Sequence, residues 1–284
     1  MDKNESNSFF KNVNIDKNIS FNNKNPFVLI AGPCVLESKE HAFSMVDSLK
    51  NITQKLNIPF IYKTSFDKAN RTSLSGSRGL GLNESLQIFA DIKSKFNVKI
   101  ITDVHESHQC EQVKEVVDII QIPAFLCRQT DLLLAAGKTN LPINIKKAQF
   151  LSPYDMFHVV KKIESTGNNK ILLCERGNIF GYQNLIVDMT SFEIMKKTGY
   201  PVIFDATHSV QKIAGINEKS GGNRDFVPVL AKSAIAQGIS GLFLEVHEDP
   251  DSAPSDGANM LKLKDLESLL SKLIAIDKLV KSFS

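Results

Sequence analysis

Short runs of β-branched and other apolar residues recur along this chain, with amphipathic stretches between them. The runs fall at residues 27–31, 60–63, 99–102, 119–122, 143–146, 171–174, 202–204 and 242–244. Helical periodicity marks residues 38–56, 83–96, 107–117, 152–165, 225–237 and 261–280. Such alternation predicts βα units around a parallel sheet. Eight strands point to the α/β class and a single (β/α)8 barrel, with an open doubly wound sheet as the alternative. Charged or Gly/Pro-containing sequence follows nearly every run at once. A barrel opens all those strand ends on one face, where active sites form, and this favours the barrel.

Residues 1–25 show only a weak alternation around residues 13–19, which predicts a short hairpin or a disordered arm ahead of a catalytic domain at 26–284. Ser220-Gly221-Gly222-Asn223 reads as a loop, either a lid or plain turn chemistry. With 34 basic and 31 acidic residues the net charge is only +3, too mild to demand nucleic acid. Cys34, Cys110, Cys127 and Cys174 lie too far apart for a metal-binding Cys pair and read as reduced thiols. With no signal-like or membrane-length apolar run, the expectation is a soluble, cytoplasmic protein.

The chemistry sits after the strands. Residues 62–73 carry Lys63, Lys68 and Arg71 among Asn70, Thr72 and other small polar residues, a loop suited to phosphate and carboxylate, although a solvated surface loop is an equal reading. Lys146, Lys147 and Gln149 follow the fifth run, and Glu175 and Arg176 follow the sixth. In a barrel these cations converge on one mouth, and their repulsion calls for an anionic ligand. Cys34, His208, Glu245 and Asp256 follow the first, seventh and eighth runs, which are neighbours in a closed barrel. A thiolate, an imidazole and two carboxylates suit a borderline divalent ion, with zinc, iron and manganese all open. Taken singly, each of the four reads more readily as structural. Asp103 and His105, after the third run, are expected to orient polar groups at the mouth, while His247 and His108 read as peripheral.

Several stretches carry a specific resemblance: residues 31–34 (Ala-Gly-Pro-Cys), 63–73, 102–105, 121–131, 144–150, 174–177, 204–211 and 255–257. In order and spacing, from about residue 26 onward, they resemble the 3-deoxy-D-manno-octulosonate 8-phosphate (KDO 8-phosphate) synthase family. Cys34 is similar to its metal-dependent branch; the metal-independent branch carries Asn at that turn. Related 3-deoxy-heptulosonate phosphate synthases carry Lys-Pro-Arg where this chain has Lys68-Ala69-Asn70-Arg71. The resemblance implies a transferase that condenses phosphoenolpyruvate with arabinose 5-phosphate and water, serving KDO and lipopolysaccharide biosynthesis. It implies catalytic roles for Lys63, Lys68, Lys146, His208 and Asp256, and a divalent metal on Cys34, His208, Glu245 and Asp256. Phosphoenolpyruvate would be held by Lys63, Lys68, Lys146, Arg176 and the Ala124 amide, and the aldose phosphate by Asn70, Arg71 and Thr72. Asp103, Gln121, Phe125 and Gln149 complete the expected substrate site. A homotetramer is implied too, in which Arg128 of a neighbouring subunit reaches the aldose phosphate. Two rivals remain open: an imine-forming aldolase using Lys63 or Lys146, and a non-catalytic RNA- or anion-binding protein.

Overall fold

Alternation along each strand decides which side chains fill the interior of the sheet and which meet the helices. The computed structural model describes residues 9–70, 78–180, 184–212 and 221–283. Its main sheet is formed by β1 (Val28–Gly32), β2 (Phe60–Lys63), β3 (Lys99–Asp103), β4 (Ile119–Ile122), β5 (Ile143–Lys146), β6 (Ile171–Glu175), β7 (Val202–Asp205) and β8 (Gly241–His247). Each strand pairs in parallel with the next, and β8 pairs with both β7 and β1, so the sheet closes as a (β/α)8 barrel. An open doubly wound sheet would leave two unpaired edges, and the β7–β8 pairing excludes it.

Around the barrel run α1 (Lys39–Lys55), α2 (Leu82–Phe96), α3 (Ser107–Val113), α4 (Thr130–Lys138), α5 (Met156–Glu164), α6 (Thr190–Lys196), α7 (Val227–Ile235) and α8 (Leu263–Lys281). The helices α4 and α6 are nine and seven residues long, too short for a period of 3.6 to stand out in the sequence. No helix among the described residues is long and apolar enough to cross a membrane.

One parity of strand residues, including Ile30, Ile61, Ile101, Leu172, Ile203 and Phe243, forms a buried cluster of its own inside the barrel. The other parity, such as Leu29, Tyr62, Ile145 and Phe204, packs against the helices. Each fully buried side chain of this size stabilises by roughly 1.5–3 kcal/mol.

Residues Val13–Asn14 and Ser20–Phe21 pair antiparallel as a hairpin whose Val13 and Phe21 belong to the interior cluster. The hairpin thus packs on the N-terminal end of the barrel. A Cβ at Gly241 would lie 2.8 Å from the Phe21 ring, so glycine at the start of β8 is what admits it. Asn23 fastens the hairpin: its amide donates to the Tyr200 carbonyl at 3.0 Å, and its oxygen accepts from Val202 N at 2.9 Å and Ser240 Oγ at 2.7 Å.

Gly221 and Gly222, although loop-like in sequence, form a short antiparallel pair with Gln211–Lys212. Ser220 lies outside the described residues.

Candidate active site

The parity that gives the barrel its apolar interior becomes polar one step further toward the C-terminal ends of the strands. Lys63, Asp103, Gln121, Lys146, Asp205 and Glu245 are all buried there. Buried charges persist only when paired, and these are. Lys63 Nζ lies 3.1 Å from Glu245 Oε1, and Lys146 Nζ lies 2.5 Å from Asp205 Oδ2. Lys146 also stands over the Phe243 ring, 3.9 Å from its centroid.

Ser65 joins β2 to β3. The ammonium groups of Lys63 and Lys68 both donate to its Oγ at 3.1 Å, and that hydroxyl donates to Asp103 Oδ1. The other oxygen of Asp103 lies 3.1 Å from His105 Nε2. Burial pushes the Asp103 carboxyl up, but the His105 hydrogen bond and the charges of Lys63 and Lys68 outweigh it and hold the group well below 3.8. Lys68, within 4.0 Å of Glu245, is raised despite burial by the Cys34, Glu245 and Asp103 charges. Through Ser65, Asp103 is thus linked to both lysines, with His105 on its far side.

Three of the four expected metal ligands come together, and the fourth lies beside one of them. Cys34 Sγ and one oxygen each of Glu245 and Asp256 lie within 4.8 Å of one another. His208 joins them, with Nε2 at 3.7 Å from Glu245 Oε1. Its Nδ1 lies 2.8 Å from Asp205 Oδ2, which orients the ring and turns Nε2 toward Glu245. Glu245 Oε2 is buried without a hydrogen-bond partner. Tetrahedral bonds of about 2.0–2.3 Å put ligand atoms roughly 3.5 Å apart, so Cys34, Glu245 and Asp256 fit a small divalent ion, with His208 on the Glu245 side as a fourth donor. The Cys34 thiol donates to Asp256 Oδ2 at 3.1 Å. Burial, then the Glu245 charge, pushes that thiol well above 9.0. Asp256 is held down to about 2, because the His208 and Lys68 charges and the Cys34 and Ser255 hydrogen bonds exceed the opposing effect of burial.

Arg176 is 4 % exposed; its Nη2 donates to Gln211 Oε1 at 3.0 Å, while Nη1 is buried with no partner. Gln149 is buried too, with Oε1 unpaired. Gln121 Oε1 accepts from Asn144 Nδ2 at 3.0 Å. Ala124 is buried at the start of a short 3-10 turn, whereas Phe125 is half exposed and Arg128 exposed. Asn70 is exposed, and Arg71 and Thr72 lie outside the described residues.

Lys147 and Glu175 do not join the mouth. They share the parity of Ile145 and Leu173, which pack against the helices, so they turn out of the barrel. There Lys147 donates to Asn178 Oδ1 at 2.6 Å and to two backbone carbonyls, 3.4 Å from Glu175 Oε1. Burial pulls the Lys147 ammonium below 10.5.

A second grouping at the rim, Glu37, His41 and His247, also has its ligand atoms within 4.8 Å. Here His247 Nε2 pairs with Glu37 at 3.0 Å while Nδ1 accepts the Asp249 N–H at 3.0 Å. With both ring nitrogens engaged, this cluster fastens the loop after β1 to the end of β8.

Three residues of the site lie within the family-like stretches 63–73 and 204–211 but were given no role from the sequence: Ser65, Asp205 and Gln211. Asp205, one residue beyond the apolar run at 202–204, was the most accessible of them, since strand parity alone aims it inward with Ile203.

Fold and mouth together define a (β/α)8-barrel enzyme whose candidate active site holds three lysines and an arginine against buried carboxylates. Residues 10–282 match the DAHP synthetase I family, and the chain belongs to it. It is 55% identical over 265 residues to the 2-dehydro-3-deoxyphosphooctonate aldolase of Bartonella bacilliformis, covering 93% of this chain and 94% of that protein. Proteins of the same name from Brucella anthropi (54% over 264 residues; 93% and 95% covered) and Bradyrhizobium diazoefficiens (56% over 265; 93% and 94%) are similar to the same extent.

Proposed function

We propose that this chain condenses phosphoenolpyruvate with arabinose 5-phosphate and water, giving 3-deoxy-D-manno-octulosonate 8-phosphate and inorganic phosphate for lipopolysaccharide synthesis. The observation that carries the reading is the convergence of Lys63, Lys68, Lys146 and Arg176 on one mouth, with a buried Arg176 Nη1 left without an acceptor. An unpaired buried guanidinium nitrogen costs about 1–3 kcal/mol, which an anion would offset. The relatives' shared name supplies the reaction; the cations supply a reason for two polyanionic substrates.

Carbon 3 of phosphoenolpyruvate attacks the aldehyde, water adds at carbon 2, and phosphate leaves by C–O cleavage. Lys63, Lys68, Lys146 and Arg176 would hold the carboxylate and phosphate, and Asn70, Arg71 and Thr72 the aldose phosphate. Gln121, Ala124, Phe125 and Gln149 would complete the pocket. Bringing two polyanions together in fixed orientation and meeting their charge with preset ammonium groups accounts for the protein's share of the rate. Cys34, His208, Glu245 and Asp256 would hold a divalent ion, which supplies Lewis acidity toward an oxygen of the reacting groups. Uptake of the ion would displace the thiol proton of Cys34.

Phe125, Phe150 and Phe180 are each half-exposed, as residues covered by further copies of the chain would be, and a homotetramer would place Arg128 beside a neighbour's site. A solution mass near four times 31.5 kDa tests that. A cytoplasmic location accords with four free, buried thiols.

Phosphate release from phosphoenolpyruvate tests the activity. Arabinose 5-phosphate should support it with far higher kcat/KM than erythrose 4-phosphate. Comparable values would refute the substrate assignment.

A further inference from the structure

Gln211 stands between the cationic corner and the metal corner of the mouth. Its Oε1 accepts from Arg176 Nη2 at 3.0 Å and its Nε2 donates to Asp256 Oδ1 at 3.0 Å. A guanidinium only donates and a carboxylate only accepts, so the amide is the neutral group that satisfies both at once, and only in this orientation. Its backbone is held as firmly. Gln211 pairs with Gly222 in the short antiparallel ribbon. Gly222 in turn lies so close to Asn259 that a Cβ there would stand 1.4 Å from the Asn259 oxygen. Asn259 closes the same turn on Asp256, donating its N–H to the Asp256 carbonyl at 2.8 Å. Side chain and ribbon thus both tie Gln211 to the loop that carries Asp256.

We propose that Gln211 is a positioning residue that couples Arg176 to Asp256, so that anion binding at one corner and divalent-ion binding at the other strengthen each other. An ion drawing on Asp256 fixes the amide, and the fixed amide holds the guanidinium with Nη1 free for an incoming oxyanion. Coupling of this kind is reciprocal: the factor by which the ion tightens the anion equals the factor by which the anion tightens the ion. The phosphoenolpyruvate arm of the argument rests on the proposed function.

The test is calorimetric titration of the full chain, stripped of metal, with Co2+ and with phosphoenolpyruvate, each alone and in the presence of the other. The wild-type protein should show the same coupling factor in both directions, within about 5–150-fold. In Gln211→Met, which keeps length and shape, the factor should fall to near one and Co2+ affinity should drop about 10–100-fold, the usual cost of losing a group that orients a metal ligand. Gln211→Glu sets a carboxylate against Asp256 and should lose the coupling too, which guards against a folding defect peculiar to one variant. Failure of the wild-type chain to bind Co2+, an absent coupling, or a Gln211→Met protein with the wild-type factor would each overturn the proposal. Were Co2+ bound but not phosphoenolpyruvate, the functional reading would fail by itself, and inorganic phosphate as the anion would still decide the bridge.

Discussion

Lys146 donates to Asp205 Oδ2 at 2.5 Å, and that same oxygen lies 2.8 Å from His208 Nδ1. One carboxylate, fully buried, therefore sets both the ammonium proposed to face substrate and the imidazole proposed to face the metal. The His208 backbone N–H closes on its other oxygen at 2.9 Å.

Asp205→Asn should for that reason damage two functions at once. Removing one charge of a buried pair costs about 3–5 kcal/mol, because the partner is left uncompensated. Urea denaturation should register that loss. Metal affinity and kcat/KM should both fall about 10–100-fold. An unchanged metal affinity would detach Asp205 from His208.

No imine should form on either candidate lysine. Lys63 is paired with Glu245 and Lys146 with Asp205, both among buried groups, and an ammonium held by a buried carboxylate is not a nucleophile. Borohydride reduction in the presence of phosphoenolpyruvate and arabinose 5-phosphate should leave the protein mass unaltered. A stable adduct on Lys63 or Lys146 would restore the imine-forming alternative.

Chelation should abolish turnover of the wild-type enzyme. Cys34→Asn should retain low activity that no longer responds to chelator, because an amide in place of the thiol can hydrogen-bond to Asp256 where the sulfur does. Full turnover by wild-type protein shown by elemental analysis to be free of metal would remove the four-ligand site.

Asp103 predicts the shape of the acid limb. Its folded value lies well below 3.8, so its stabilising effect is fully present above that pH and is lost as pH falls through the folded value. Asp103→Asn should be less stable than wild type at pH about 6, and the gap should narrow steadily below about pH 4. A gap that stays constant with pH would assign the loss to hydrogen bonding with Ser65 alone.

The barrel and its mouth were legible because apolar runs end abruptly in polar residues, as at Ile145-Lys146 and Leu244-Glu245. Strand parity was the unread variable. Adjacent lysines 146 and 147 look alike in sequence, yet one step along a strand sends the first to the mouth and the second to the helix side, where Asn178 and Glu175 meet it. The roles of Ser65 and Gln211, though both lie in family-like stretches, were hidden for a different reason. Their importance lies in partners 38 and 45 residues away, Asp103 and Asp256, and nothing local marks such a pairing.

The seat of Phe21 against Gly241 has a consequence for how the chain comes to be folded. The ring precedes all eight strands along the chain, and the strand that receives it is the last of the eight. Contacts so distant in sequence form late, since the intervening chain must first be ordered. Until β8 arrives, the aromatic face of the hairpin has no partner and the floor of the barrel stays open. Closure of the sheet and seating of the hairpin are then a single late event, in which a segment ahead of the first strand waits for the eighth.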